Sequence, residues 1–149
     1  VRAELKSRGL VTRSAMFTDL AKAIVSGKRV LFDFVVIDEA QDLTPSHLRF
    51  LAALAGGRPN ALFFAGDLGQ RIFQQPFSWK SLGVDLQGRS RTLRVNYRTS
   101  HQIRSQADLL LGAELSDVDG IAESRDETIS VFNGPPPVVQ VHSSPEAEI

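Results

Sequence analysis

Asp38 and Glu39 are adjacent carboxylates that directly follow an unbroken apolar stretch, residues 34–37, and Gln41 and Asp42 come shortly after them. Mg²⁺ takes only one or two protein carboxylates and keeps several waters, and phosphoryl transfer requires mainly positioning and charge neutralisation. Successive side chains at a strand end point in different directions. We therefore predict that Asp38 holds the water shell of a Mg²⁺ ion while Glu39 activates the water that attacks a terminal phosphate.

The apolar stretch before these acids is typical of a strand in the buried middle of a parallel sheet, with both faces covered. Ligands of open α/β sheets bind just beyond the carboxyl ends of such strands, so Asp38 and Glu39 are expected at the ligand edge. A simpler alternative is a strand followed by an acidic, helix-capping turn, which requires no ligand.

Two later segments repeat this design. Residues 61–65 form a second apolar run that ends in Gly66-Asp67-Leu68-Gly69-Gln70-Arg71-Ile72-Phe73. Residues 93–95 end a third predicted strand, and Asn96-Tyr97-Arg98-Thr99-Ser100 then opens a helix. Each strand thus delivers polar side chains to its C-terminal end.

With these three segments the sequence resembles the UvrD/Rep-type superfamily 1 helicases, whose motif II reads DExQD, motif III GDxxQxI(Y/F), and the following motif NYR(S/T). The resemblance covers about residues 15–110, and the motifs occur in the family's order. It implies an α/β fold with a parallel sheet of the RecA-like P-loop NTPase type, ATP and Mg²⁺ as cofactors, and single-stranded DNA and a duplex junction as partners.

The resemblance assigns a role to each matching acid and amide. Asp38 corresponds to the Mg²⁺ ligand and Glu39 to the base for the hydrolytic water. Gln41 and Gln70 correspond to amides that sense the γ-phosphate, and Asp67 to a support for that site. Outside the family, Gln70 could equally be a turn residue.

Tyr97 resembles the aromatic residue that stacks on adenine, and Arg98 the arginine that neutralises charge on the γ-phosphate. A guanidinium presents a rigid fork to phosphate oxygens, and a phenol ring suits a purine face. The alternatives are a surface ion pair for Arg98 and a core position for Tyr97. If the family roles hold, Glu39, Gln70 and Arg98 should line one cleft around a γ-phosphate.

The aromatic residues after motif III depart from the family pattern, which has two aromatics separated by one residue on which DNA bases stack. Phe73 fills the first position, but Gln75 stands at the second, and Phe77 and Trp79 follow at shifted spacing. Stacking contributes about 1–3 kcal/mol per base on any aromatic face. Phe73, Phe77 and Trp79 are therefore candidates for contact with nucleic acid, and the alternative is that the shifted pair lies in the core.

The sequence has no G-x-x-x-x-G-K-[ST] loop, because its only Gly-Lys pair, Gly27-Lys28, is followed by Arg29 and lacks the upstream glycine. We therefore expect a piece of a longer helicase whose partners include the Walker A segment and a second motor domain. Residues 1–130 would be the C-terminal part of the first motor domain, and residues 131–149 the linker and first strand of the second. The isolated chain should then be inactive.

The composition of the 149 residues is that of an ordinary globular protein, with 42% hydrophobic and 23% charged residues. The absence of cysteine excludes disulfides and thiolate metal sites. No apolar run has the roughly 18 residues of a membrane span, and the N-terminus does not resemble a signal peptide, so we predict a cytoplasmic location. The three histidines lack the spacing of metal ligands.

The net charge is zero, but the charges are unevenly distributed. Residues 1–70 carry a net +2, residues 71–104 a net +6, and residues 105–149 a net −8. The basic block runs from motif III through Arg98, as expected if phosphates of ATP and DNA lie along it. The alternative is that these arginines pair with the acidic C-terminal third.

Capping residues and the spacing of apolar residues predict three helices. Thr18 predicts the start of a helix over residues 19–25 that Gly27 ends. Thr44 and the following proline predict a helix through residue 54 that stops at Gly56-Gly57. Thr99 or Ser100 predicts another, with Ile103, Ala107 and Leu110 on its apolar face.

The two ends of the chain give weaker signals. Residues 5–11 are predicted to be a helix fragment, residues 112–127 a loop or a partly disordered segment, and residues 138–141 one isolated strand.

Two functions from different classes remain at this stage. One is an ATP-driven motor that moves along single-stranded DNA and unwinds duplex. The other is a non-catalytic nucleotide-fold module that binds protein or nucleic acid. A different Mg²⁺-dependent phosphohydrolase is a third alternative, but it leaves Gln70 and the Tyr97-Arg98 pair unexplained.

Overall fold

A computed structural model describes residues 2–27, 32–70, 76–111, 114–124, 127–141 and 144. The helices and strands in chain order are α1 (Arg2–Ser7), α2 (Arg13–Gly27), β1 (Val35–Ile37), α3 (Pro45–Ala55), β2 (Leu62–Phe64), β3 (Val95–Asn96), α4 (His101–Leu111), β4 (Glu114–Ser116), β5 (Ala122–Ser124) and β6 (Ile129–Ser130). Short 3₁₀ helices cover Ala40–Asp42, Leu68–Gln70 and Lys80–Leu82. The chain divides into two compact units, Val1–Ser90 with Ser116–Ala122, and Arg91–Leu115 with Glu123–Ile149.

Strands β1 and β2 form the parallel pair that the sequence predicts. Val35 is paired with Leu62 and Ile37 with Phe64. The N–H of Val35 donates to the carbonyl of Ala61 at 2.8 Å, and the N–H of Ala65 donates to the carbonyl of Ile37 at 2.8 Å. This register places the carboxyl ends of both strands at the same edge.

The core of the first unit lies on one face of this pair. Leu48 of α3 is fully buried, and it clusters with Ala40, Trp79 and Val84. Leu62 and Phe64 pack against this cluster. Helix α3 thus covers one face of the two strands.

The opposite face of the pair is open. Phe34, Val36 and Phe63 keep 73%, 72% and 64% of their surface exposed. The prediction that both faces of β1 are covered is therefore wrong for the described part of the chain. Side chains alternate between faces along a strand, and α3 packs only against the face that carries Val35 and Ile37.

Helix α2 begins earlier than predicted. Thr12 is the capping residue, because its Oγ1 accepts a hydrogen bond from the N–H of Ala15 at 3.1 Å. Thr18 lies inside the helix, where its hydroxyl donates to the carbonyl of Ser14 at 2.8 Å. A threonine hydroxyl can be satisfied in this way within a helix, which is why the predicted start at Thr18 is wrong. The predicted end at Gly27 is confirmed.

Helix α3 has the ends that its sequence predicts. The hydroxyl of Thr44 accepts from the N–H of His47, and the Nδ1 atom of His47 accepts from the N–H of Thr44, so the two residues form a capping box. Gly56 ends the helix in the left-handed conformation, with φ at 59°. Burial, and then the nearby charge of Arg13, lower the pKa of His47 below 6.5. This shift favours the neutral imidazole that can accept the capping hydrogen bond.

The second unit contains a two-residue parallel pair, β3 with β6, in which Val95 is paired with Ile129 and Asn96 with Ser130. Ser100 is buried and caps α4 through a 3.5 Å bond from the N–H of Ile103. The cap is as predicted. Within the described residues, β3 pairs with β6 and not with the β1–β2 sheet.

Several predictions for the C-terminal part are wrong. Residues 138–141 form no strand, and the strand described nearest to them is β6, which begins nine residues earlier. Strands β4 and β5, which pair with each other, lie in the segment predicted to be a loop. The predicted apolar face of α4 is exposed, including Leu110 at 87%.

Other sequence predictions stay open or are only partly met. The predicted helix fragment over residues 5–11 is α1, which ends at Ser7. The domain boundary at residue 130 stays a prediction. Among the described helices, none combines the length and the apolar character that crossing a bilayer requires.

Candidate functional site

Five polar residues predicted to carry chemistry follow the carboxyl ends of β1 and β2, and hydrogen bonds link all five. We call this group the strand-end site. Its members are Asp38, Glu39, Gln41, Asp67 and Gln70. The parallel register of the two strands brings their ends together, so residues 26 positions apart in the chain come into contact.

Glu39 has a backbone conformation that is rare for a residue with a side chain. Its φ and ψ are 52° and 46°, in the left-handed region, which costs about 1–2 kcal/mol for a non-glycine residue. Its N–H donates to Oδ1 of Asp38 at 2.9 Å, and its carbonyl accepts from the N–H of Asp42 at 3.0 Å. These bonds hold the sharp turn between β1 and the 3₁₀ helix that follows.

Gln41 is buried, and both ends of its carboxamide are bound. Its Oε1 accepts from the N–H of Asp67 at 3.2 Å, and its Nε2 donates to Oε2 of Glu39 at 2.5 Å. The orientation of the amide follows from its partners, because a backbone N–H can only donate and a carboxylate can only accept. Gln41 therefore joins the turn after β1 to the turn after β2.

Gly66 provides the space that this arrangement requires. A Cβ atom at this position would lie 2.7 Å from Oε1 of Gln41 and 2.9 Å from the backbone nitrogen of Ala40. That nitrogen donates to the carbonyl of Ala65 at 2.9 Å. The glycine is needed here for close packing, and the sequence motif alone did not reveal that reason.

Asp67 organises the turn after β2. Its Oδ1 accepts from the N–H of Gly69 at 2.8 Å, and its Oδ2 accepts from Nε2 of Gln70 at 2.9 Å. Its carbonyl accepts from the N–H of Gln70 at 3.1 Å. The hydrogen bonds thus run without a break from Glu39 through Gln41 and Asp67 to Gln70, whose side chain is exposed.

The oxygen atoms of this site suit a hydrated Mg²⁺ ion. Asp38 and Glu39 are both exposed, and Asp38 uses Oδ1 for the bond within the turn, which leaves its other oxygen for metal-bound water. No group of three or more potential metal ligands occurs in residues that the structure describes. Mg²⁺ does not need such a group, since it binds through one or two carboxylates and its own waters.

Tyr97 and Arg98 follow β3 in the second unit. The Oδ1 atom of Asn96 accepts from the N–H groups of Arg98 and Thr99, both at 2.9 Å, and so shapes the turn into α4. Both side chains are exposed, Tyr97 at 75%. The alternative of a core position for Tyr97 is therefore not the one observed.

The aromatic residues proposed for base stacking differ in accessibility. Trp79 is only 5% exposed, with its ring centroid 5.2 Å from that of Phe64 and 5.6 Å from that of Phe77. The structure favours the core alternative for Trp79, since a base could not reach its faces. Phe77 is half-buried, and Phe73 lies outside the described residues.

Asp119 is a structural residue that sequence reasoning missed. Its carboxylate accepts from the hydroxyl of Ser78 at 2.5 Å and from the N–H groups of Trp79 and Lys80 at 2.6 and 3.1 Å. The bond from Ser78 is the main cause that lowers the pKa of Asp119. This acid fixes the segment that carries the core tryptophan, and no local pattern in the sequence indicates a contact over 40 residues.

Part of the basic block forms ion pairs with acids, as the second interpretation of the charge distribution predicts. Arg94 pairs with Glu127, and Arg104 pairs with Asp108 at 2.5 Å. Two of the seven cations of the basic block are thus paired with acids of the C-terminal third.

Comparison with known families supports the resemblance. A family model described as the UvrD/REP helicase N-terminal domain matches residues 8–79, just under half of the chain. The match supports a fragment of a UvrD/Rep-type helicase. The strand-end site lies entirely within the part that matches the UvrD/REP model, whereas Tyr97 and Arg98 lie beyond it. Among curated proteins, none matches this chain significantly.

Proposed function

We propose that the chain is part of an ATP-dependent DNA helicase, in which Mg²⁺-ATP hydrolysis drives movement along single-stranded DNA and unwinding of duplex. Within it, Asp38 holds Mg²⁺ through water and Glu39 activates the attacking water. Gln70 contacts the γ-phosphate, and Asp67 fixes Gln70. Asp38, Glu39 and Gln70 are exposed at the strand ends, as these roles require.

One observation carries this proposal. The carboxyl ends of two parallel strands present Asp38, Glu39 and Gln70 at one edge, and a continuous set of hydrogen bonds connects Glu39 to Gln70. Ligands of open parallel sheets bind at this edge. An acidic capping turn alone would not require the buried amide of Gln41 between the strands.

The remaining roles concern the second unit, the aromatic residues after motif III and the rest of the protein. Tyr97 stacks on the adenine, Arg98 neutralises charge on the γ-phosphate, and both are exposed as such contacts need. Phe73 and Phe77 are the candidates for stacking on DNA bases. The phosphate-binding loop and the second motor domain are supplied from outside these 149 residues.

The proposal is tested by measuring ATP turnover with and without single-stranded DNA, for the complete protein and for this chain alone. We expect Mg²⁺-dependent, DNA-stimulated turnover by the complete protein, in the usual enzymatic range of about 1–10³ s⁻¹, and at least about 100-fold less by the isolated chain, which has no phosphate-binding loop.

Each of these two measurements has a result that would contradict the proposal. A complete protein that binds DNA but does not hydrolyse ATP favours the non-catalytic module. Substantial DNA-dependent turnover by the isolated chain contradicts the requirement for the missing loop. Chelation of Mg²⁺ is the control, and it should abolish turnover.

A further inference from the structure

We propose that Gln41 is a positioning residue that fixes Glu39 and the Asp67–Gln70 turn relative to each other, and that Gly66 is the gap that admits its carboxamide. The inference rests on the proposed function of the strand-end site and goes beyond it. In place of a direct contact with the γ-phosphate, Gln41 contacts Glu39, which activates the water, and the backbone of Asp67, which fixes Gln70.

The burial of Gln41 disfavours a direct contact with the phosphate. The residue is only 6% exposed, and its amide oxygen and nitrogen both bind protein groups. Nε2 has a second N–H, but burial leaves the carboxamide little access to a phosphate outside the turn. Moving the carboxamide outward would break its hydrogen bond to the charged carboxylate of Glu39, and such a loss is costly.

The backbone conformation of Glu39 requires support from neighbouring residues. This residue has a left-handed conformation that glycine adopts more easily, and strained residues persist only where their surroundings hold them. The bond from Gln41 acts on the side chain of that same residue. Gln41 therefore stabilises the position of the carboxylate as well as the turn.

Gly66 leaves the space that the carboxamide of Gln41 occupies. Its φ lies outside the left-handed range, so a side chain is excluded there by space alone. The amide oxygen of Gln41 and the backbone nitrogen of Ala40 occupy the volume that a Cβ atom would need. A methyl group at Gly66 should thus displace the same carboxamide that a substitution of Gln41 removes.

Three variants of the complete protein test the inference through the steady-state kinetics of ATP hydrolysis with single-stranded DNA. Gln41→Met removes both hydrogen bonds at similar side-chain length. Gln41→Glu can still accept from Asp67 but cannot donate to Glu39. Gly66→Ala places a methyl group against the carboxamide. Loss of a hydrogen-bond partner that orients a metal ligand typically costs about 10–100-fold in metal affinity or activity, and we expect the same range for the partner of Glu39.

We expect each variant to lower kcat by about 10–100-fold while KM for ATP stays within about threefold. The double variant of Gln41→Met and Gly66→Ala should be no more than about threefold slower than the slower single variant, because both changes remove the same contacts. Gln87→Met, at an exposed glutamine, and Gly27→Ala are the matched controls. An added Cβ atom at Gly27 would meet no other described part of the chain within 4 Å, apart from its own helix and neighbours. Both should keep kcat within about twofold.

The outcomes separate this inference from the proposed function. If Glu39→Gln also retains turnover, the proposed function fails. If Glu39→Gln is inactive but the Gln41 and Gly66 variants keep kcat within about twofold, the positioning role alone is overturned. A large rise in KM with unchanged kcat would instead support a direct phosphate contact. Losses of kcat that only follow the loss of folded protein, measured by circular dichroism, would show a merely structural role and overturn the inference.

Discussion

Replacement of Glu39 by glutamine is expected to lower ATP hydrolysis by the complete protein by about 10²–10⁴-fold, the usual contribution of a general base. Glutamine has the shape of glutamate and can still hydrogen bond to Gln41, so the turn after β1 should keep its geometry. It cannot take a proton from water. Nucleotide affinity, measured by titration with a fluorescent ATP analogue, should therefore stay within a few fold.

Asp42→Asn is the matched control for this variant. It removes a negative charge from an exposed residue three positions further along, and Asp42 has no proposed role in hydrolysis. We expect its turnover to remain within about threefold of the unchanged protein. Retained turnover in Glu39→Gln, or an equal loss in both variants, would remove Glu39 from the mechanism.

Truncation of Leu48 to alanine is expected to lower the free energy of unfolding of the first unit by about 2–5 kcal/mol. Leu48 is fully buried at the centre of the cluster that joins α3 to Trp79 and Val84. Its removal leaves a cavity in addition to the lost burial of apolar surface. Because native domains are stable by only about 5–15 kcal/mol, this change should be a large fraction of the total.

The fluorescence of Trp79 reports this unfolding directly, since it is the only tryptophan and lies in the same core. Urea titrations of the 149-residue chain give the free energies. Leu10→Ala, at a leucine that is 54% exposed in the same unit, should cost less than about 1 kcal/mol. Equal costs for the two variants would contradict the core described above.

The sequence predicts the parts of the fold that depend on neighbouring residues. The apolar runs that end in polar residues predict β1 and β2, and Thr44, Pro45 and Gly56 predict both ends of α3. Each of these signals acts within a few positions of the chain. The prediction failed for the start of α2, because a threonine hydroxyl can be satisfied inside a helix as well as at its first position.

The parts that could not be predicted depend on contacts between distant segments. The bond between Gln41 and the backbone of Asp67 requires the register of two strands, and the motif alone suggested that Gln41 contacts phosphate. The bonds of Asp119 to residues 78–80 span about 40 positions. Sequence spacing also could not decide between DNA and the core for Trp79, because an indole ring suits either environment.

The apolar run of β1 led to a further error, since it predicted cover on both faces. In the described part of the chain, Val36 and Phe63 are open on one face. Hydrophobicity predicts which side chains favour burial, but it does not supply the layer that buries them. That layer must come from another element.

The central claim is that the carboxyl ends of β1 and β2 form the site where Mg²⁺-ATP is hydrolysed. The most direct test is a crystal structure of the complete protein with Mg²⁺ and a non-hydrolysable ATP analogue. We predict that Asp38 contacts a water of the metal, that Glu39 and Gln70 lie within hydrogen-bonding reach of the attacking water and the γ-phosphate, and that Gln41 still bridges Glu39 and Asp67. A nucleotide bound away from this edge, with Glu39 and Gln70 both distant from its phosphates, would contradict the claim.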